Sequence, residues 1–229
     1  MHPVLILRPA EGAARSIAAL HAAGFPALSL PLFALRPLDW RPPRAADFDA
    51  ILITSAAAIL HGGAALGRYA RLPTHVVGPV SADAARTAGM TLGMVGDSDG
   101  NALLRAVAAA WRGDGPCRIL WPCAREHSQL EVPDNIMLQP SVVYAAEESP
   151  VDVTFLRGPT IALVHSARSA MRLAALVPDK SALTLVAISA KVAAAAGPGW
   201  AAVHVAPKPL DADMVALAAD LCKKPDGLS

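Results

Sequence analysis

The sequence predicts an α/β protein of two similar parallel-sheet domains joined by a two-stranded linker, and three observations predict it. Short apolar runs alternate with alanine-rich segments, the end of the chain repeats its middle at fixed spacing, and one repeated unit stands out of order.

The apolar runs are Val4-Leu5-Ile6-Leu7, Ala50-Ile51-Leu52-Ile53, His75-Val76-Val77 and Ile161-Ala162-Leu163-Val164, each followed by small or polar residues and then a helix-forming segment. A strand that alternates apolar and polar residues is half-exposed, whereas an uninterrupted apolar run suits one buried on both faces. Strands of that kind alternating with helices indicate a parallel sheet covered on both sides.

The repeat appears when Ile51-Leu52-Ile53-Thr54-Ser55-Ala56 is laid over Ala162-Leu163-Val164-His165-Ser166-Ala167. Both read as a strand with a serine at the following helix entrance. Val76-Val77-Gly78-Pro79-Val80-Ser81-Ala82 then matches Leu185 to Ala193, and the register holds, because Ser55 to Gly78 and Ser166 to Ser189 both span 23 residues. Leu92-Gly93-Met94-Val95-Gly96 pairs with Val203-His204-Val205-Ala206-Pro207 in the same way. The last pair, Ile6-Leu7-Arg8-Pro9 and Ile119-Leu120-Trp121-Pro122, is displaced: one copy opens the chain and the other follows its partners.

That displacement makes the outer domain discontinuous. It is expected over 1–33 plus 146–229, around an inserted domain at 37–140, with linkers at 34–36 and 141–145, each domain of the flavodoxin-like kind. Pro31-Leu32-Phe33-Ala34-Leu35 would run outbound and Ser141-Val142-Val143-Tyr144-Ala145 would return. Both are β-rich and of similar length, so they are expected to pair as a short ladder; Pro37, Pro42 and Pro43 mark the exit from the first.

Composition narrows the partners. At 229 residues and 54% hydrophobic, the chain can bury a core in each of two domains. Its 20 basic and 19 acidic residues nearly cancel, with no cationic stripe for a phosphate backbone, so nucleic acid is not expected as a partner. Cys117, Cys123 and Cys222 make an odd, sparse set that suits a reducing compartment and a cytoplasmic protein. No leader is read at the N-terminus. The uncharged stretch from Ala50 to Gly67 carries Thr54, Ser55, His61 and several glycines, so it reads as a strand and short helix rather than a membrane span. The histidines are scattered, and no metal site is expected.

In a parallel sheet the strand-to-helix loops gather at the carboxyl edge, where helix N-termini present unpaired amide N–H groups and partial positive charge. Those loops carry Arg8, Thr54, Ser55, Gly78, Ser81, Ser166 and Ser189, which suits a ligand rich in carboxylates or phosphates. Each serine also has a plainer explanation as a helix cap, and Arg8 as a surface ion pair. Two such edges joined by a hinge would form a cleft for a large polyanion.

With these segments in place, the chain resembles the uroporphyrinogen-III synthase family. The resemblance rests on Val4-Leu5-Ile6-Leu7-Arg8-Pro9, on Phe48 to Ala56, on the Val77-Gly78-Pro79 turn with Ser81, and on the Val142-Val143-Tyr144 return, and it covers nearly the whole length. It implies a cytoplasmic, cofactor-free enzyme, a monomer, acting on the linear tetrapyrrole hydroxymethylbilane. That substrate loses water, its ring D inverts through a spirocyclic intermediate, and the macrocycle closes. The family places a tyrosine on the return linker, matched here by Tyr144, where a phenol would donate a hydrogen bond to the departing hydroxyl. Holding the ends together would supply much of the rate.

The likeness is imperfect in the C-terminal half. Ser189 stands where the family usually has glycine, Lys191-Val192 where hydroxyl residues are expected, and His165 where threonine precedes the serine. A non-catalytic tetrapyrrole- or anion-binding regulatory module of the same fold is therefore the alternative reading.

Overall fold

The computed structural model describes residues 3–154, 156 and 158–223. The chain begins with β1 (Val4–Ile6), α1 (Ala10–Ala22), β2 (Ala27–Ser29) and β3 (Phe33–Pro37). It continues through β4 (Ala50–Ile53), α2 (Ala56–Gly62), β5 (Thr74–Val77), α3 (Gly78–Thr87), β6 (Leu92–Gly96) and α4 (Gly100–Ala110). Then come β7 (Cys117–Ala124), β8 (Ile136–Glu148), β9 (Thr160–Val164) and α5 (Ala167–Leu176). The chain ends in β10 (Leu183–Ala187), α6 (Ala190–Ala196), β11 (Ala202–Val205) and α7 (Asp211–Lys223).

These elements divide into two compact units, an outer one of Met1–Ala34 with Glu147–Ser229 and an inner one of Leu35–Ala146. The outer sheet runs β11-β10-β9-β1-β2, parallel throughout. The inner sheet runs β6-β5-β4-β7-β8 in parallel, with β3 added beside β8. Laid side by side, the two orders match strand for strand. β1 takes the place of β7, which is the displacement seen in the sequence, and β2 corresponds to β8, a pair the sequence did not reveal.

The apolar runs form central strands because both of their faces are covered. Along β4, Ile51 and Ile53 enter one core with Tyr69, Val76 and Val143, while Ala50 and Leu52 enter the other with Leu104, Ile119 and Trp121. All four β4 residues are buried. Burying each large side chain contributes roughly 1.5–3 kcal/mol, which outweighs any preference of this short stretch for another conformation. The outer unit packs Val4, Ile6, Leu163 and Val186 against helix residues such as Leu20 and Met214.

The crossing strands pair with opposed directions: Leu38 N–H donates to Val143 O at 2.9 Å and Ser149 N–H to Leu32 O at 3.0 Å. Residues 141–145, expected as a linker, form the second half of β8, where Ser141 and Val142 continue the pairing with Pro122 and Cys123 of β7. The stretch from Ala50 to Gly67 folds as β4, α2 and a short 3-10 segment. Among the described residues no helix is long and apolar enough to cross a membrane.

Candidate active site

Tyr144 reaches its position through an irregularity in β8. Cys123 pairs with Val142, but the next residue, Ala124, pairs with Tyr144, so an extra residue is accommodated on the β8 side. Because side chains alternate along a strand, such a bulge resets which face the following residues present. Val143 and Tyr144 are both buried in the core that holds Ile51 and Ile53. The backbone there is held by Arg125 N–H donating to Tyr144 O at 2.8 Å.

The Tyr144 side chain is 8% exposed and borders a cavity of about 530 Å³ within the inner unit, with Thr54, Val77, Asp99, Asn101 and Trp121 also on its walls. Burial raises its phenol pKa above the ordinary value; a hydrogen bond with Ser55 pulls the other way, and Cys123 adds to the rise. The phenol is therefore protonated at neutral pH, a donor rather than a base. Its ring lies 5.6 Å from the His61 ring, centroid to centroid, tilted by 31°.

Of the other expected residues of the inner unit, Thr54 lines this cavity, whereas Ser55, Gly78 and Ser81 are not among its lining residues. Thr54 directly follows β4, and its Oγ1 accepts from Trp121 Nε1 at 3.2 Å. Ser55 caps α2, its hydroxyl accepting from Ala57 N–H at 3.3 Å. Gly78 opens α3 with φ +78° and Pro79 directly behind it, a left-handed turn that a side chain disfavours. Ser81, expected in the loop, lies one turn inside α3 and is buried. Because the helix begins at Gly78 rather than after Val80, the amides of the entrance belong to Gly78 and its neighbours.

Residues not expected as site residues complete the cavity, among them Asp99 and Asn101, whose segment reads in the sequence as a helix cap before Ala102. Trp121 carries His127 against its ring at 4.6 Å, and Asp99 caps α4 by accepting from Ala102 N–H at 2.8 Å. Asn101 Oδ1 accepts from Glu131 N–H at 2.9 Å, tying the 125–135 crossing to the start of α4. The signal available for Asp99 and Asn101 was a capping sequence after β6 at the carboxyl edge, whereas Trp121 lies within β7 and carried no such signal. Cys123, also on the wall, is a buried thiol pushed up to about 11 by desolvation, too high for a reactive thiolate.

In the outer unit Ser166 caps α5, accepting from Ser169 N–H at 3.1 Å and donating to Ser169 Oγ at 2.9 Å. Ser189 caps α6, accepting from Val192 N–H at 3.4 Å. Arg8, two residues beyond β1, pairs with Asp211 at 3.3 Å, so the ion-pair explanation describes its observed contact. Among the described residues no group of His, Cys, Asp and Glu is placed to hold a metal ion.

Comparison with known proteins agrees with this architecture. A crystal structure of uroporphyrinogen-III synthetase from Helicobacter pylori is similar with a TM-score of 0.65 at 14% identity, over 96% of this chain and 100% of that one. A mutant uroporphyrinogen III synthase from the extremely thermophilic bacterium Thermus thermophilus gives 0.52 at 15% identity, over 98% and 100%. At those identities the likeness speaks for the fold alone. No curated protein matches the chain in sequence. The family model of uroporphyrinogen-III synthase HemD matches residues 14–216, most of the chain, and with that match the chain belongs to the uroporphyrinogen-III synthase family.

Proposed function

We propose that the chain closes hydroxymethylbilane to uroporphyrinogen III, with inversion of ring D and loss of water, and that Tyr144 assists the departure of the hydroxyl. The observation that carries the assignment to Tyr144 is its burial on a cavity wall as a neutral phenol. When the C–O bond of the hydroxymethyl group breaks, its electron pair goes to oxygen and the adjacent pyrrole feeds electrons into the new double bond. A phenol hydrogen bond to that oxygen strengthens as charge gathers on it, which is where an enzyme gains rate. The pyrrole N–H supplies the proton that completes water.

The substrate's carboxylates are proposed to meet the amide-rich helix entrances. In the inner unit these are the turn at Gly78 with Ser81 behind it and the Thr54-Ser55 step; in the outer unit they are the starts of α5 and α6 at Ser166 and Ser189. A helix start offers several N–H donors without a fixed cation, which suits a flexible molecule with many carboxylates. Ring closure then follows from proximity.

The test is incubation with freshly prepared hydroxymethylbilane and isomer analysis of the cyclised product. Uroporphyrinogen III in excess over the type I isomer supports the reading. Type I isomer alone, the product of spontaneous closure, defeats it and leaves the non-catalytic binding module.

A further inference from the structure

One acid at the carboxyl edge of the outer sheet collects three donors from elements far apart in sequence. Asp211, the first residue of α7, accepts from Ser16 Oγ of α1 at 2.8 Å on one oxygen and 2.9 Å on the other. His165 Nε2, at the end of β9, lies 2.7 Å from Asp211 Oδ1; an ionised carboxylate only accepts, so this nitrogen carries the proton. Arg8 NH1, two residues beyond β1, lies 3.3 Å from the same oxygen.

The cluster is built to hold that arginine. A methyl group on Gly12 would come within 2.3 Å of Arg8 Nε and 2.6 Å of Cζ, so the bare glycine lets the guanidinium lie against the first turns of α1. Ser16 is fully buried, and the side chains of His165 and Arg8 are 10% and 25% exposed. Burial works against ionisation of Asp211, but His165, Ser16 and Arg8 together hold its carboxyl below the usual range.

We infer that Asp211 tunes how strongly this edge attracts its polyanionic ligand, by neutralising Arg8 beside the α5 entrance that His165-Ser166 forms. The inference rests on the proposed synthase function. Substrate and product carry the same carboxylates, so an unshielded guanidinium would tighten both alike. Binding shared equally by substrate and product does nothing for the chemical step and slows release. With Asp211 in place, carboxylates are met by amides and hydroxyls, and the arginine remains a structural counter-charge.

The experiment measures KM, product inhibition and their salt dependence for wild type, Asp211→Asn and the double variant Arg8→Gln with Asp211→Asn. Wild-type formation of uroporphyrinogen III is established first; if it is absent, the function itself has failed. Exposing one positive charge is expected to lower KM about five-fold in Asp211→Asn and to tighten product inhibition similarly, with both gains fading as salt rises. The double variant is expected to return both towards wild type. A folded Asp211→Asn with unchanged or raised KM overturns the inference. If that single variant fails to fold, the double variant carries the test, since removing both partners leaves no charge unpaired. A double-variant KM within about two-fold of wild type then supports the masking role, and a clearly raised one overturns it.

Discussion

Tyr144 shows how a residue acquires a task from its surroundings. A phenol in water ionises near pH 10.0, and burial moves this one higher, so throughout the neutral range it stays a donor. Replacing it with Phe keeps the ring that packs in the core and removes only the hydroxyl. Turnover is expected to fall about 10²-fold, in line with the loss of one positioned hydrogen-bond donor to the leaving oxygen, while the far-UV spectrum and melting temperature stay near wild type. Unchanged turnover would remove Tyr144 from the mechanism. The position was legible because the returning Val142-Val143-Tyr144 segment resembles the family's. Its bulge was not, since register depends on how Cys123 and Ala124 pair with it. The partner of Arg8 was equally hidden: Asp211 lies 203 residues away, and no local pattern links the two.

At the level of elements, the strand-turn-helix units carry both the fold and the candidate binding edges. Val77-Gly78-Pro79 was readable as a turn because glycine tolerates a left-handed backbone and proline favours the first turn of a helix. The structure adds that α3 starts at Gly78 itself, which draws Ser81 into the core. A Cβ at Gly78 would meet nothing within 4 Å, so its φ of +78° is the obstacle to a side chain. Gly78→Ala is therefore expected to destabilise the protein by about 1–2 kcal/mol through backbone strain alone, measured as a lower urea midpoint with an unchanged slope. A loss below a few tenths of a kcal/mol would show that the turn tolerates a side chain. Capping by Ser55, Ser166 and Ser189 was predicted from the residue type and is observed at all three. Whether the same hydroxyls also meet ligand is a matter of access that residue type does not encode.

For the whole molecule, the displaced repeat was legible in the order of the segments, and it determines which pieces of chain can fold by themselves. The inner unit is one continuous stretch, Leu35–Ala146, with its own cores on both faces of β4. The outer unit is closed only when β1, from the start of the chain, inserts between β9 and β2. Without the first segment, β9 loses one of its two neighbours and the core loses Val4, Ile6, Leu20 and Phe25. At roughly 1.5–3 kcal/mol for each buried side chain, that loss is comparable with the whole stability of a domain, about 5–15 kcal/mol. A fragment of residues 35–146 is thus expected to unfold in urea as a single cooperative transition with native-like far-UV signal. A fragment of 147–223 is expected to show no such transition, and to gain one only when residues 3–34 are joined to it by a short linker. If 147–223 alone melts cooperatively, then β1 is not the closing strand of the outer core, and the register drawn between the two halves of the sequence loses its physical meaning.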